Sequence, residues 1–229
     1  MKPDEIERWL WEGREATIST LELGNFWWPD GTQPQRSASA WALAFFLKAA
    51  KDRLSRFRGA HATVCPKGKD NHYRQILDAL WTPFKGEHWP HEMLVDFSVL
   101  DWRLRSPILL TAESEVAPRH GVKDSITRDD DYSWDFFKLL VIPSPRRLFF
   151  ARVGAIERGS GRARLEELVA TLKRLVKHYG EAFLRERDEL GAVIVSGAKA
   201  DAACTKILWL EAGKLESRLA TKLPPLRQK

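Results

Sequence analysis

Hydrophobic and polar residues in the middle of the chain follow a pattern that is typical of a β-hairpin. One arm covers residues 94–101 and the other covers residues 108–115, and both are rich in aliphatic and β-branched side chains. A Ser-Pro pair interrupts the pattern between the arms, as a turn does. The second arm is almost entirely apolar until Glu113 and Glu115, which share one face because side chains alternate along a strand. The pattern therefore predicts a largely apolar hairpin that carries carboxylates at one end.

The register of this hairpin brings a third carboxylate to the same end. A loop of the six residues between the arms pairs Asp101 with Ile108. Each step back along one arm is a step forward along the other, so Asp96 is expected opposite Glu113 and on the same face. Clustered carboxylates repel one another unless a cation joins them, and Mg²⁺ prefers oxygen ligands. The alternative is that the end of the strand is solvated and the glutamates lie in water.

The periodicity of the remaining chain predicts further helices and strands on both sides of the hairpin. Helices are expected at residues 3–15, 37–58, 73–82, 134–140 and 162–188. Strands are expected at residues 16–24, 147–153, 191–196 and 204–210. This order predicts an α/β (α+β) fold in which a mixed central β-sheet is flanked by helices. We expect one domain over residues 1–229, with 1–36 as an N-terminal extension and 214–229 as a basic, partly helical C-terminal tail.

Composition adds limits on the compartment and on the partners. The chain has 229 residues and a formal net charge of +6, which permits a polyanionic partner without requiring one. Its two cysteines lack metal-ligand spacing, so a reducing compartment is expected and a zinc site is not. No apolar run approaches the roughly 18 residues of a membrane span, and the first residues lack the apolar core of a signal peptide. These features predict a cytoplasmic protein that does not associate with a membrane.

The second predicted helix ends in a basic segment. Its cations are Lys48, Lys51, Arg53, Arg56 and Arg58, set against the single acid Asp52. A basic helix end can lie along a phosphate backbone. It can equally be a solvated face whose cations stabilise the helix C-terminus.

The order of chemical groups around the hairpin resembles that of the PD-(D/E)XK nuclease superfamily, which includes the type II restriction endonucleases. The shared features are an aspartate on one hairpin strand, a Glu-x-Glu on the next, and then a helix and an apolar strand. The resemblance covers residues 37–153. It implies that Asp96 and Glu113 bind the metal ion and that the carbonyl group of Ala112 faces it.

The sequence departs from the family pattern at the third motif position. Glu115 occupies the position at which most members carry a lysine that orients or activates water. In such families the lysine can move to the following helix, where Lys138 is the candidate; its alternative role is that of a surface lysine on an amphipathic helix. Val95 replaces the proline that often precedes the first acid, and Asp101 is an alternative first acid at the far end of the hairpin.

The resemblance implies a nuclease that uses Mg²⁺ or Mn²⁺ to hydrolyse phosphodiester bonds in DNA, in restriction, phage defence or repair. The basic helix end, Arg119 and Lys123 are then expected to hold the DNA backbone. A homodimer fits this expectation because the cutting of both strands needs two sites. One alternative is a catalytically inactive module on the same fold that binds nucleic acid or protein and needs no cation. Another is an assembly subunit that places its many tryptophans at a protein interface.

Overall fold

One β-sheet with helices on both faces forms the part of the chain that the structure describes. The computed structural model describes residues 1–22, 34–55, 61–64, 71–80, 95–116, 131–153, 161–196 and 205–221. The helices are α1 (Pro3–Thr20), α2 (Pro34–Leu54), α3 (Asn71–Leu80), α4 (Asp131–Val141) and α5 (Gly161–Phe183). The strands are β1 (His61–Val64), β2 (Phe97–Leu100), β3 (Ile108–Glu115), β4 (Arg146–Val153), β5 (Glu189–Ser196), β6 (Thr205–Glu211) and β7 (Lys214–Leu219).

The described strands form a seven-stranded mixed sheet in which the strands lie side by side in chain order. β2 pairs antiparallel with β1 on one side and with β3 on the other. β3, β4 and β5 are parallel, and β6 and β7 return to antiparallel pairing. The parallel pairs are joined through α4 and α5, as parallel strands require a long crossover connection. The prediction of a mixed sheet flanked by helices is confirmed.

The central strand β4 separates two hydrophobic cores. Leu148 and Phe150 face the core that includes α1 and α2, whereas Phe149 and Ala151 face the core that includes α4 and α5. All four side chains are fully buried, which explains why this strand is an uninterrupted apolar run in the sequence.

Helix α2 is buried on nearly every side rather than along one stripe. From Ala38 to Ala50 its side chains are buried, except for the partly exposed Lys48. α1 lies against it: the indole N–H of Trp41 donates to the carbonyl of Leu10 at 2.9 Å. The predicted N-terminal extension thus contains a helix that contributes to the core.

Two sequence-based predictions of local structure were wrong. The alternation of residues 16–24 predicted a strand, but α1 continues to Thr20, and the buried Thr17 hydroxyl donates to the carbonyl of Gly13 at 2.8 Å. The tail after residue 214 was expected to be partly helical, but it begins with the strand β7. Ala212 and Gly213, with φ of 48° and 76°, form the two-residue turn that pairs β7 with β6.

Within the described residues, no helix is both long and apolar enough to cross a bilayer.

A candidate acid–lysine site on the central hairpin

The hairpin places two of the predicted acids opposite each other. Phe97 pairs with Ala112 in the antiparallel ladder of β2 and β3. β2 begins at Phe97, so Asp96 lies immediately before this ladder, where the same register continued by one residue faces Glu113. At the other end of the hairpin a bulge shifts the register, so Leu100 rather than Asp101 pairs with Ile108.

Glu113 is a buried carboxyl group on the α4 side of the sheet. Its neighbour in the parallel ladder is Phe149, which faces the core beneath α4 and α5. Only 1% of Glu113 is exposed. From α4, the ammonium group of Lys138 forms an ion pair with Oε1 of Glu113. The same ammonium group lies 2.9 Å from Oδ1 of Asp135, one turn earlier on the helix.

Asp96 forms hydrogen bonds with the carboxyl-terminal end of β3. Its Oδ2 accepts hydrogen bonds from the backbone N–H of Ser114 at 3.0 Å and from the Ser114 hydroxyl at 2.7 Å. The backbone N–H of Asp96 donates to Oε2 of Glu113 at 3.3 Å. The two acids are therefore held together through the backbone as well as through the register.

The electrostatic balance of this cluster is negative. The pKa of Glu113 is raised to about 9, chiefly by burial and additionally by the charges of Asp96 and Asp135, against the opposing effect of Lys138. Burial lowers the pKa of Lys138, but the charges of Glu113 and Asp135 outweigh burial and hold this pKa above its ordinary value. Lys138 is therefore charged at neutral pH, whereas burial together with the nearby charges of Asp96 and Asp135 favours the protonated form of Glu113.

The donor groups suit a hard divalent cation in chemistry and in charge. Carboxylate oxygens are the ligands that Mg²⁺ and Mn²⁺ accept. A cation beside Glu113 would favour the ionised form of this side chain, which burial and the charges of Asp96 and Asp135 disfavour. Asp96 and Glu113 are the residues that fit. Within the described residues, however, no group of three or more His, Cys, Asp and Glu side chains is arranged to hold a metal ion.

The other predicted ligands lie less favourably. Glu115 is partly buried at the end of β3, where it pairs with Ala151, and the structure does not gather it with Asp96 and Glu113 into such a group. Ala112 lies between paired strands on both sides, which leaves its carbonyl inside the hydrogen-bonded ladder.

Asp101, the alternative first acid, has a local structural role. Its carboxylate accepts hydrogen bonds from Nε and Nη2 of Arg103 at 2.8 and 2.7 Å, and its backbone N–H donates to Pro107 at 2.8 Å. These contacts close the loop between β2 and β3.

The basic end of α2 lies away from the acid–lysine cluster. Arg53 forms ion pairs with Glu5 at 2.5 Å and with Glu189 at 3.5 Å, and its guanidinium group lies 5.5 Å from the ring centroid of Trp9. These contacts place it near the amino ends of β4 and β5, whereas Glu113 lies towards the carboxyl end of β3. Lys48 is partly buried and Lys51 is exposed on the same helix.

Three of the predicted nucleic-acid contacts, Arg56, Arg119 and Lys123, lie outside the described residues.

Sequence reasoning missed two members of the cluster. Asp135 lies three residues before Lys138, a spacing that places both side chains on neighbouring positions of a helix. Ser114 lies between the two glutamates, and the alternation of a strand directs its side chain away from theirs. Its partnership with Asp96 depends on where β2 begins, which periodicity does not determine.

Comparison with known proteins identifies no relative: no protein-family model matches the sequence, and no curated protein or solved structure gives a significant match.

Proposed function

We propose that this chain is a divalent-metal-dependent nuclease that hydrolyses phosphodiester bonds in DNA. One observation carries the proposal: Lys138, on the helix that follows the hairpin, contacts Glu113, whose partner across the hairpin is Asp96. An aspartate, an acid on the next strand and a lysine on the following helix are the groups that the resemblance to PD-(D/E)XK nucleases implies.

Each side chain of the cluster has a distinct role in this proposal. Asp96 and Glu113 would hold Mg²⁺ or Mn²⁺, and the bound ion supplies a water of lowered pKa and positive charge at the scissile phosphate. Lys138, held by Asp135, donates a hydrogen bond to that water or to a phosphate oxygen. Ser114 fixes the carboxylate of Asp96 through two hydrogen bonds.

A catalytically inactive binding module is the second candidate. The observation that favours it is the direct ion pair between Lys138 and Glu113, in which the ammonium group occupies a carboxylate oxygen that the nuclease would use for its metal ion. In that case the cluster is a buried structural network, and binding to DNA or protein does not depend on a cation.

Metal-dependent cleavage by matched variants tests the proposal. Labelled plasmid and linear DNA are incubated with the full chain in Mg²⁺, Mn²⁺ or a chelator. Asp96→Asn, Glu113→Gln and Lys138→Met are each expected to lower the cleavage rate by about 100-fold or more. The control is Glu166→Gln. Glu166 lies on α5, outside the cluster, and its carboxylate forms an ion pair with Lys206 at 3.0 Å.

The outcomes separate the two candidates. Calorimetry with Mn²⁺ should show binding to the wild-type chain and to Glu166→Gln, and no binding to Asp96→Asn, with circular dichroism unchanged. An absence of cleavage by the wild-type chain in every metal, or full activity of Glu113→Gln, would exclude the nuclease. DNA binding that is unaffected by the chelator and by all four substitutions would support the binding module.

A further inference from the structure

The indole of Trp134 is exposed at the edge of the candidate site. Trp134 lies on α4 with 45% of its surface exposed, whereas Tyr132 and Phe136 on the same helix are buried. Burial of an indole contributes more than burial of most side chains, so a half-exposed tryptophan forgoes part of that stabilisation. The position of Trp134 on α4 determines whether its exposed ring can contact a ligand at the candidate site.

Helical spacing brings Trp134 next to the lysine of the site. Trp134 and Lys138 are four residues apart and therefore lie one above the other on one face of α4. Helical side chains lean towards the N-terminus, so the side chain of Lys138 leans towards the turn that carries Trp134. Because the ammonium group of Lys138 contacts Glu113, Trp134 lies one helical turn from the residue that the proposed function puts at the scissile phosphate.

Neighbouring aromatic rings hold this indole in place. The rings of Trp134 and Phe137 lie 6.1 Å apart at 33°. On α5, Tyr179 and Phe183 contact Phe137 edge to face at 5.1 and 6.2 Å. A ring supported in this way loses little conformational freedom when a ligand stacks on its exposed face.

We propose that Trp134 stacks on an unpaired base next to the cleaved phosphodiester, so that the site takes single-stranded DNA or an extruded or frayed base in preference to an intact duplex. Aromatic side chains stack on every base because every base has a π-face, whereas the bases of an intact duplex already stack on one another. The net charge of +6 suits a polyanionic strand. This inference rests on the proposed function, since the Lys138–Glu113 pair locates the phosphate.

Equilibrium binding in the presence of a chelator tests the stacking separately from cleavage. The probes are a labelled oligothymidylate of about 12 nucleotides, its duplex of equal length, and the same single strand with abasic positions. The proteins are the full wild-type chain, Trp134→Ala, Trp134→Phe and Trp102→Ala. Trp102 is a matched control because its indole is 52% exposed in the loop at the opposite end of the hairpin.

The expected pattern is specific to bases. Trp134→Ala should weaken binding of the single strand by roughly 5- to 150-fold, the range of one lost base stack. Trp134→Phe should lose less, and Trp102→Ala should bind as the wild type does. Binding of the duplex and of the abasic strand should change little, because neither offers an unstacked base.

Two results would overturn the inference. The first is unchanged binding of the single strand by Trp134→Ala. The second is an equal loss for all three probes, which would make Trp134 only a cap on the aromatic cluster of α4 and α5.

Failure of the proposed function gives a different pattern. If the wild-type chain cleaves no DNA in any metal but Trp134→Ala loses single-strand binding, the base-stacking site stands and the nuclease does not. If the wild-type chain cleaves and Trp134→Ala binds and cleaves single strands normally, the nuclease stands and the stacking site does not. Absence of DNA binding by the wild type excludes both.

Discussion

At the scale of single residues, Glu113 is a buried carboxyl group whose desolvation is costly. A buried carboxyl group loses its hydration, and an ion pair with one lysine recovers only part of that free energy. Apolar residues of similar size often replace buried ion pairs without loss of stability. A purely structural role is therefore a weak reason for Glu113 to be acidic, and a chemical role is a stronger one.

The raised pKa of Glu113 makes the stability of the metal-free chain depend on pH. Below its unfolded pKa of about 4.5 Glu113 is protonated in both states; as pH rises from there towards about 9, the folded state holds a proton that the unfolded state releases. The contribution of this proton to the free energy of unfolding is fully present below pH of about 4.5. Between about pH 4.5 and about pH 9 that contribution decreases by up to ~1.4 kcal/mol per pH unit.

Glu113→Gln should remove this slope, because a neutral amide has no proton to lose. Urea unfolding of both proteins between pH 5.5 and about 8 in a chelator measures the difference. Glu166→Gln serves again as the control and should keep the slope of the wild type. Parallel pH dependence of wild type and Glu113→Gln would show that Glu113 is ionised in the folded chain.

Some contacts of the candidate site could be predicted from the sequence, and others could not. Asp96 and Glu113 could be placed opposite each other because a strand has a period of two residues and the loop length sets a register. The contact of Lys138 with Glu113 could be proposed only through the resemblance, because it depends on how α4 packs against β3. The bonds from Ser114 to Asp96 were missed for the same reason: they depend on tertiary placement.

At the scale of elements, the contact of α1 with α2 depends on a glycine. A Cβ atom on Gly13 would lie 2.8 Å from the backbone nitrogen and 3.0 Å from the Cα of Phe45. Both neighbours are backbone atoms within a buried helix, so they cannot move aside cheaply. The absence of a side chain at this position thus sets the distance between the two helices.

Gly13→Ala is expected to lower the free energy of unfolding by about 1–3 kcal/mol, the usual cost of overpacking. Gly180→Ala is the matched control on α5, since a Cβ there would make only ordinary contacts at 3.6 Å. That control should raise stability by up to about 1 kcal/mol through helix propensity. Chemical denaturation of both variants measures the contrast, and a gain of stability in Gly13→Ala would contradict the packing argument.

The C-terminus of α4 is held by a buried arginine. Arg147 donates to the carbonyl groups of Leu139 at 2.6 Å and Ile142 at 3.1 Å, and it pairs with Asp188 at 2.8 Å. Burial lowers the pKa of its guanidinium group, although Asp188 opposes this shift. Arg147 therefore satisfies the last carbonyl groups of the helix that presents Lys138.

Arg147→Met should lower the free energy of unfolding by about 3 kcal/mol or more. The substitution leaves the carboxylate of Asp188 and the carbonyl groups of Leu139 and Ile142 without this partner. Arg8→Met is the comparison. It breaks an ion pair with Asp52 at 2.7 Å in which both side chains are substantially exposed, and should cost no more than about 1 kcal/mol. Equal losses measured by urea denaturation would show that Arg147 does not fasten α4.

Helices and strands were predicted well where the hydrophobic residues follow a single period, and poorly where both a helical and a strand period fit the sequence. The helix predicted at 162–188 is α5, which ends at Phe183, and its leucine and valine residues from Leu165 to Val176 are buried in the core beneath α4 and α5. Residues 16–24 alternate like a strand, yet the first part continues α1 because tertiary contacts with α2 override the local pattern. β7 was missed because its strand pairing depends on the short turn at Ala212 and Gly213.

At the scale of the whole molecule, the candidate site lies in the most enclosed part of the sheet. β3 and β4 have neighbours on both edges, and helices cover both faces of β4. Within the described strands β1 and β7 are the sheet edges. Opening of β4 requires disruption of both cores, whereas opening of an edge strand breaks one ladder.

Hydrogen exchange should therefore be slowest in β4, next slowest in β3 and β5, and fastest in β1 and β7. The protection of β4 should approach the global free energy of unfolding, because its amides exchange only when the whole fold opens. Exchange measured by mass spectrometry on peptides from each strand tests this order, and edge strands as protected as β4 would contradict it. Since Glu113 lies on β3 beside β4, the predicted order also means that the strand carrying this carboxyl group opens more slowly than the edge strands. Adjustment on ligand binding would then fall to Lys138 and Trp134, whose helix packs on this sheet from one side.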